Sequence, residues 1–508
     1  MTRALFNTVS VVTLLTLAGC PGPSGDTESG SASDSASSSG TTDGTDPTAN
    51  PTATDPVTTT ETDPTGMTAG DSESGTTVNP TNPTETTTLA MPDCTADDQC
   101  ADADAPFCVD EKCVACDQAD AAACAVKDAA APVCSEGACV QCSADDKALC
   151  QGNKPVCGAD NTCAACTQHP ECPDSACNLE TGACFGLEYV IYVDKAAPCD
   201  VGDGTMAMPF CKIGQAFDKM LGDDVALGWT IKIKSGSYVE DPLVVPDGAL
   251  VAMSSWDGIQ PKIRATPGSG MPTLSVSNAT SLYLDRLAFN LNDESHGLVC
   301  ALSKVWIDGT RMASNAGQGY ESTECDTWIR NSVIFKNGSG GLASYGAGQT
   351  WITNTYVTGN GTQNLDDYGG IRTSQGNEMH IRYSTVANNL TGTGPRSLHC
   401  TADAAPTEIR NSVLIAFTSM NSVDCPGGTF SNSALDEGAI DGDTNLIATV
   451  DDLVNFFNPP NNGVYTALPG TALDGLALWV KGDPMIDFDG TTRVNTDGEK
   501  DFAGADKP

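Results

Sequence analysis

The chain has 508 residues, of which 66 are acidic and 25 basic, for a formal charge of −41; 23 are cysteine and four are histidine. A surplus of negative charge on that scale excludes nucleic acid and anionic lipid headgroups as partners of the folded surface, because both require a basic face. His169, His296, His380 and His399 show no metal-ligand spacing, which argues against a catalytic zinc.

Residues 1–20, MTRALFNTVSVVTLLTLAGC, carry Arg3 and a short apolar run that ends in small residues. The segment reads as a signal peptide, too short to span a bilayer. Leu17, Ala18, Gly19 and Cys20 resemble the bacterial lipobox. The resemblance implies a diacylated Cys20, and with it a protein of the bacterial cell envelope, expected as an outer-membrane lipoprotein facing the periplasm or the cell surface, whose membrane contact is the lipid. The alternative is a plain secretory signal with an incidental cysteine.

Residues 21–92 change to Ser, Thr, Gly, Pro, Asp and Glu, without an aromatic residue, lysine or arginine. Such a segment buries too little apolar surface to offset its chain entropy and is expected as a disordered linker, with a reach of about 45 Å by the square-root rule.

Residues 93–186 hold sixteen cysteines in four consecutive groups of four, Cys94 to Cys113, Cys116 to Cys139, Cys142 to Cys163 and Cys166 to Cys184. Two residues separate each group from the next, so the Cys-x-x-Cys pairs mark junctions between repeats. Behind an export signal these pairs read as disulfides, whereas in a reducing compartment they would read as zinc ligands. Each repeat is too small for an apolar core and needs two bridges, in one of three connectivities. The spacing resembles short cysteine-rich modules of secreted deltaproteobacterial, especially myxobacterial, proteins, which implies a spacer or an adhesive unit.

From residue 187 to 508 the text becomes alternating apolar segments with Gly- and Asn-rich turns. One helix is expected early, with Phe210, Ile213, Phe217 and Leu221 at helical spacing before Gly222. The stretches TWIRNSVIFKNG at Thr327 and TWITNTYVTGNG at Thr350 repeat one another, and the inward apolar position recurs as Leu284, Ile307, Ile329, Ile352, Ile381 and Ile409, at intervals of 23, 22, 23, 29 and 28. That period, with Ile rather than Leu as skeleton, predicts a parallel β-helix solenoid. Asn331, Asn354 and Asn411 are expected to form an interior amide ladder. Cys300 with Cys325 and Cys400 with Cys425 are spaced to bridge neighbouring rungs, and Cys199 with Cys211 to close a loop before the helix.

Three stretches resemble the right-handed parallel β-helix, or pectin-lyase-like, proteins of bacterial envelopes: YVDKAAPCDVGDGTMAMPFCKIGQAF from Tyr192, IKSGSYVED, and MIDFDGTTRVNTDGEKDFAGADKP. The resemblance implies an all-β, right-handed parallel β-helix closed by an N-terminal capping helix. It leaves function open, because the fold hosts lyases, hydrolases, epimerases and adhesins. VWIDG at Val305 echoes a pectate-lyase signature with Gly309 in place of its histidine.

Two outward columns flank the inward one. Trp306, Trp328 and Trp351 precede it with His380 and Glu408; Arg330 and Arg382 follow it with Asp308, Thr353 and Arg410. Flat aromatic faces beside guanidinium groups suit a glycan, so Trp306, Trp328, Trp351, Arg330 and Arg382 are the glycan-binding candidates. The structural alternative has the tryptophans packing under a loop or against the cysteine-rich module. The longer intervals insert loops carrying Asp366 and Asp367, the candidate acid–base pair of a polysaccharide lyase or glycoside hydrolase, and Arg396 with His399. Asp487, Asp489 and Asp497 are the candidate ligands for calcium, the cofactor such carboxylates would take. The expected function is a lipid-anchored envelope protein that displays its solenoid for binding polysaccharide or a cell-surface partner, or for a structural purpose, with the lyase or hydrolase as alternative.

Overall fold

The isoleucine column of the sequence is a column in space. In the computed structural model, which describes residues 93–508 except 103, 121, 364–366, 417–420 and 437–443, Leu284, Ile307, Ile329, Ile352, Ile381 and Ile409 pair in that order, each on its neighbour in parallel register. None is more than 1 % exposed. Among the described residues, each of the eight complete coils contributes one strand to this sheet, one to a second and one to a third, and the incomplete turns at either end add to sheets 1 and 2 only. Sheet 1 has ten strands, from Val190–Val193 to Thr429–Ser431; sheet 2 has ten, from Ser237–Glu240 to Leu446–Ala448; sheet 3 has eight, from Leu243–Val244 to Val423–Asp424. The chain is therefore an all-β parallel β-helix, with the alternate side chains of each strand pointing into a continuous apolar interior.

The helix Ile213–Leu221 packs on the first coils. Its buried face is Ile213, Ala216, Phe217 and Met220, while Leu221 is 63 % exposed, so the apolar stripe turns one residue earlier than the sequence pattern suggests. Ile213 donates its backbone N–H to the buried Glu240 carboxylate at 3.1 Å, which satisfies one of the free donors of the first turn.

The recurring asparagines divide into two columns with different work. Asn331, Asn354 and Asn411 lie two residues past the inward isoleucine, at the corner between sheets 1 and 2, with φ of 49°, 46° and 57°. Asn tolerates this left-handed conformation better than most residues, and Gly309 occupies the same corner at φ 53° for the same reason. Asn331 is half-buried and Asn354 and Asn411 are buried. One link of the ladder expected from sequence is present, Asn354 Nδ2 donating to Asn331 Oδ1 at 3.3 Å, but Asn331 Nδ2 turns to Asp308 at 3.0 Å and the Asn411 amide to the Leu478 backbone, so the column is not a continuous ladder. The interior ladder is Asn315, Asn337, Asn360 and Asn389, at the corner between sheets 2 and 3. Each amide donates to the next Oδ1 at 2.9–3.0 Å and to a backbone carbonyl below, at 2.9–3.3 Å. Each Oδ1 also accepts the backbone N–H of the preceding asparagine, so every polar atom of the column is satisfied.

The four cysteine-rich repeats share one connectivity, first to third and second to fourth: Cys94–Cys108 and Cys100–Cys113, Cys116–Cys134 and Cys124–Cys139, Cys142–Cys157 and Cys150–Cys163, Cys166–Cys177 and Cys172–Cys184. Each repeat contains one antiparallel hairpin. In the β-helix, Cys199–Cys211, Cys300–Cys325 and Cys400–Cys425 are bonded. After the last coil, residues 457–507 run back along the outside. Tyr356 Oη donates to the Tyr465 carbonyl, Asn354 Nδ2 to that of Ile486, and Arg410 grips the buried Asp483.

Candidate functional site

Side chains alternate along sheet 1, so the residue before each inward isoleucine must face out. In register these are Tyr283, Trp306, Trp328, Trp351, His380 and Glu408. Tyr283 stacks on Trp306 with centroids 4.4 Å apart, Trp306 on Trp328 at 4.5 Å, and Trp351 on His380 at 3.7 Å. Tyr283 is fully buried, sealed by Ala176 and Phe185 of the fourth cysteine-rich repeat, and its hydroxyl donates to Asn178 Oδ1 at 3.1 Å. The three tryptophans below it are half-buried.

These tryptophans floor a cleft of ≈ 830 Å³. One wall is the fourth repeat, through Cys166–His169 and Leu179; the other is the returning C-terminal segment, through Gly482 and Pro484–Ile486. His169 is itself buried, and its Nδ1 accepts the Cys177 N–H at 3.2 Å. Burial pushes its pKa down to about 4, so the imidazole is neutral at ordinary pH.

The second outward column lies along the cleft. Arg330 pairs with Asp308 at 2.9 Å. Arg382 pairs with Glu408 at 3.3 Å and lies 5.0 Å over the Trp351 ring. His380 is held between Glu378 and Glu408, each at 3.0 Å. Burial raises the Glu408 carboxyl, but the hydrogen bond from His380 and the charge of Arg382 outweigh it and hold the group below its usual range. Both faces of Trp306 are covered, by Tyr283 and Trp328, so the cleft offers ring edges together with the second faces of Trp328 and Trp351, edged by charges that already have partners.

The remaining candidate residues lie elsewhere. Asp367 pairs with Arg372 at 3.0 Å and lies 3.7 Å from His399, on the outside of sheet 3, where Arg372 also covers Tyr345 and Tyr368. The inserted loop thus brings its acid to Arg372 and not to Arg330 or Arg382; Asp366 falls outside the described residues, as does Cys20. Asp487 and Asp489 converge with Asp506. Asp497 stands apart, its carboxylate accepting the Lys481 N–H at 3.0 Å. The sequence reading missed Tyr283 and Asp506; the walls answer to its structural alternative, in which the tryptophans pack against the cysteine-rich module or under a loop, and Trp306 does pack on the Ala176 and Phe185 cluster of the fourth repeat. Only Tyr283 had a visible signal, since it precedes Leu284 as each tryptophan precedes its isoleucine.

A model described as "Family of unknown function (DUF8331)" matches residues 76–190, the cysteine-rich part of the chain. No curated protein matches the sequence. Among solved structures the chain is similar to pectate lyase Pel9A, at 12 % identity over 63 % of this chain and 96 % of that one, with a TM-score of 0.37. It is also similar to a rhamnogalacturonan lyase, at 13 % identity over 49 % and 74 % with a TM-score of 0.33, and to the pectin methylesterase of Aspergillus niger, at 14 % over 51 % and 83 % with a TM-score of 0.26. The fold assignment rests on the strand pairing and not on these likenesses.

Proposed function

We propose that the chain is an exported, lipid-anchored envelope protein that binds a polysaccharide chain in the cleft over Trp306, Trp328 and Trp351. The observation that carries the reading is the half-buried tryptophan floor between two walls. Aromatic faces left accessible in a groove are the surfaces on which sugar rings stack, and the cleft volume falls in the range of small-ligand sites. The pairing of Arg330 and Arg382 with Asp308 and Glu408 favours a neutral glycan over a polyanion, because each guanidinium is neutralised in place. Eleven disulfides support an oxidising compartment, and the text before Cys20 supports export with a lipid on that cysteine.

The test passes the full chain over immobilised neutral and acidic polysaccharides, following retention and glycan chain length together. Retention on a neutral glycan that is insensitive to salt, without shortening, is the expected outcome. Shortened chains would contradict it and direct attention to Asp367 and His399 on sheet 3.

A further inference from the structure

The C-terminal segment holds a group of carboxylates that neither the cleft nor the solenoid explains. Asp487 and Asp506 are 1 % and 3 % exposed, Asp489 is at the surface, and one oxygen from each lies within 4.8 Å of the other two. The turn at Gly490, with φ 93°, folds the Asp487–Asp489 stretch so that both side chains reach one point. Asp487 is oriented from two sides, accepting the N–H of Thr491 at 2.7 Å and of Lys507 at 3.2 Å. Asp489 accepts the hydroxyl and N–H of Thr491.

Asp506 differs from both. Its Oδ1 is enclosed and has no donor. The nearby cation, Arg493, is already committed to Asp501 at 3.2 Å and to the carbonyls of Phe502, Gly504 and Ala505. Among the described residues no ion pair reaches Asp487, Asp489 or Asp506. A carboxylate buried without donor or counter-charge is costly, and two more beside it raise the cost.

We propose that Asp487, Asp489 and Asp506 bind one calcium ion, with the enclosed, donor-less Oδ1 of Asp506 as a ligand. An all-carboxylate oxygen set suits a hard cation, and the exposed Asp489 side leaves room for the waters that complete its coordination of about six to eight oxygens. The ion fastens the 487–489 turn to Asp506 and so holds the segment whose residues 482–486 wall the cleft. That consequence for glycan binding rests on the reading of the cleft given above; the calcium site does not.

The experiment titrates calcium, and magnesium for comparison, into the full chain by calorimetry, without glycan, alongside thermal unfolding. The expected result is one calcium per chain, bound more tightly than magnesium with Kd of about 10⁻³ M or below, and a rise in Tm on saturation. Asp506→Asn abolishes the uptake, Asp489→Asn weakens it by about tenfold or more, and Asp497→Asn leaves it unchanged. Asp489 is exposed, so its variant keeps the test decisive if Asp506→Asn does not fold. Equal uptake by wild type and Asp489→Asn would overturn the proposal. So would no uptake by wild type together with a higher Tm for Asp506→Asn, which would mean that the carboxylates share a proton instead.

Discussion

Trp306 and Trp328 lie face to face, with ring centroids 4.5 Å apart and planes 7° from parallel. Their Cα atoms are register partners on adjacent strands, and strand spacing in a sheet is about 4.7–4.9 Å. The solenoid itself therefore sets the stacking distance of this pair, while Trp351, the next register partner, stacks on His380 instead.

Trp306 stacks on both Tyr283 and Trp328. Trp306→Ala removes two ring contacts at once, each worth about 0.5–1.5 kcal/mol beyond the buried area. Chemical denaturation should show a loss of about 1–3 kcal/mol. An unchanged midpoint would mean that the stack does not contribute to holding the fourth repeat on sheet 1.

The two asparagine columns should respond differently to alanine. Asn337→Ala removes two acceptor and two donor contacts in the interior and strands partners above and below. At about 1–3 kcal/mol for each buried group left unpaired, the loss is about 3 kcal/mol or more. Asn331→Ala leaves a half-buried corner with a residue less suited to φ 49°, at a cost of about 1–2 kcal/mol. Unfolding curves of the two variants compare them directly.

His169 gives the docking of the fourth repeat a pH dependence. Its pKa is about 4 in the fold against about 6.5 unfolded. Below pH 6.5 the unfolded chain takes up a proton that the fold refuses, so stability declines as pH falls from about 6.5 towards about 4. From pH 7 to pH 5 the loss assigned to this residue is about 2 kcal/mol, on the linkage relation. His169→Gln should lose correspondingly less over the same interval, measured by denaturant unfolding at both pH values.

Reduction should separate the two parts of the chain. The core of the third repeat is Cys142, Cys150, Cys157 and Cys163 themselves, so a thiol reductant should unfold the repeats. The β-helix keeps its continuous apolar interior and should retain its strand signal in far-UV circular dichroism. Replacing both Cys300 and Cys325 by Ser in the intact protein costs about 3–4 kcal/mol for a loop of 25 residues. Hydrogen exchange, resolved by segment, reads both effects.

The solenoid was legible because its signal is local and periodic: one inward isoleucine per coil fixes pairing, register and facing together. The asparagine ladder was only partly legible because two columns share the same period. Asn354 and Asn411 are buried, as Asn337 and Asn360 are, but Tyr383 stands between Asn354 and Asn411 at the same corner, so that column holds a single amide link, Asn354 to Asn331, whereas the second column is unbroken. The tryptophan column was legible for the same periodic reason, and a cover by the cysteine-rich module or a loop was named as an alternative, but the residues that form the walls were not. Leu179 and Pro484 line the cleft with Trp328 from parts of the chain far from it in sequence, and no repeat connects them. Asp497 follows Asp489 more closely than Asp506 does, yet the fold spends it on the Lys481 backbone and brings Asp506 back to the Asp487 turn.

The measurement that bears most directly on the account is the affinity of wild type, Trp328→Ala and Arg372→Ala for a soluble oligosaccharide of whichever neutral glycan retains the full chain, by titration calorimetry. The account predicts that Trp328→Ala weakens binding by about tenfold or more, from the loss of one stacked sugar face, while Arg372→Ala on sheet 3 matches wild type. Undiminished binding by Trp328→Ala, or its loss in Arg372→Ala, would contradict the account and move the site off the tryptophan cleft.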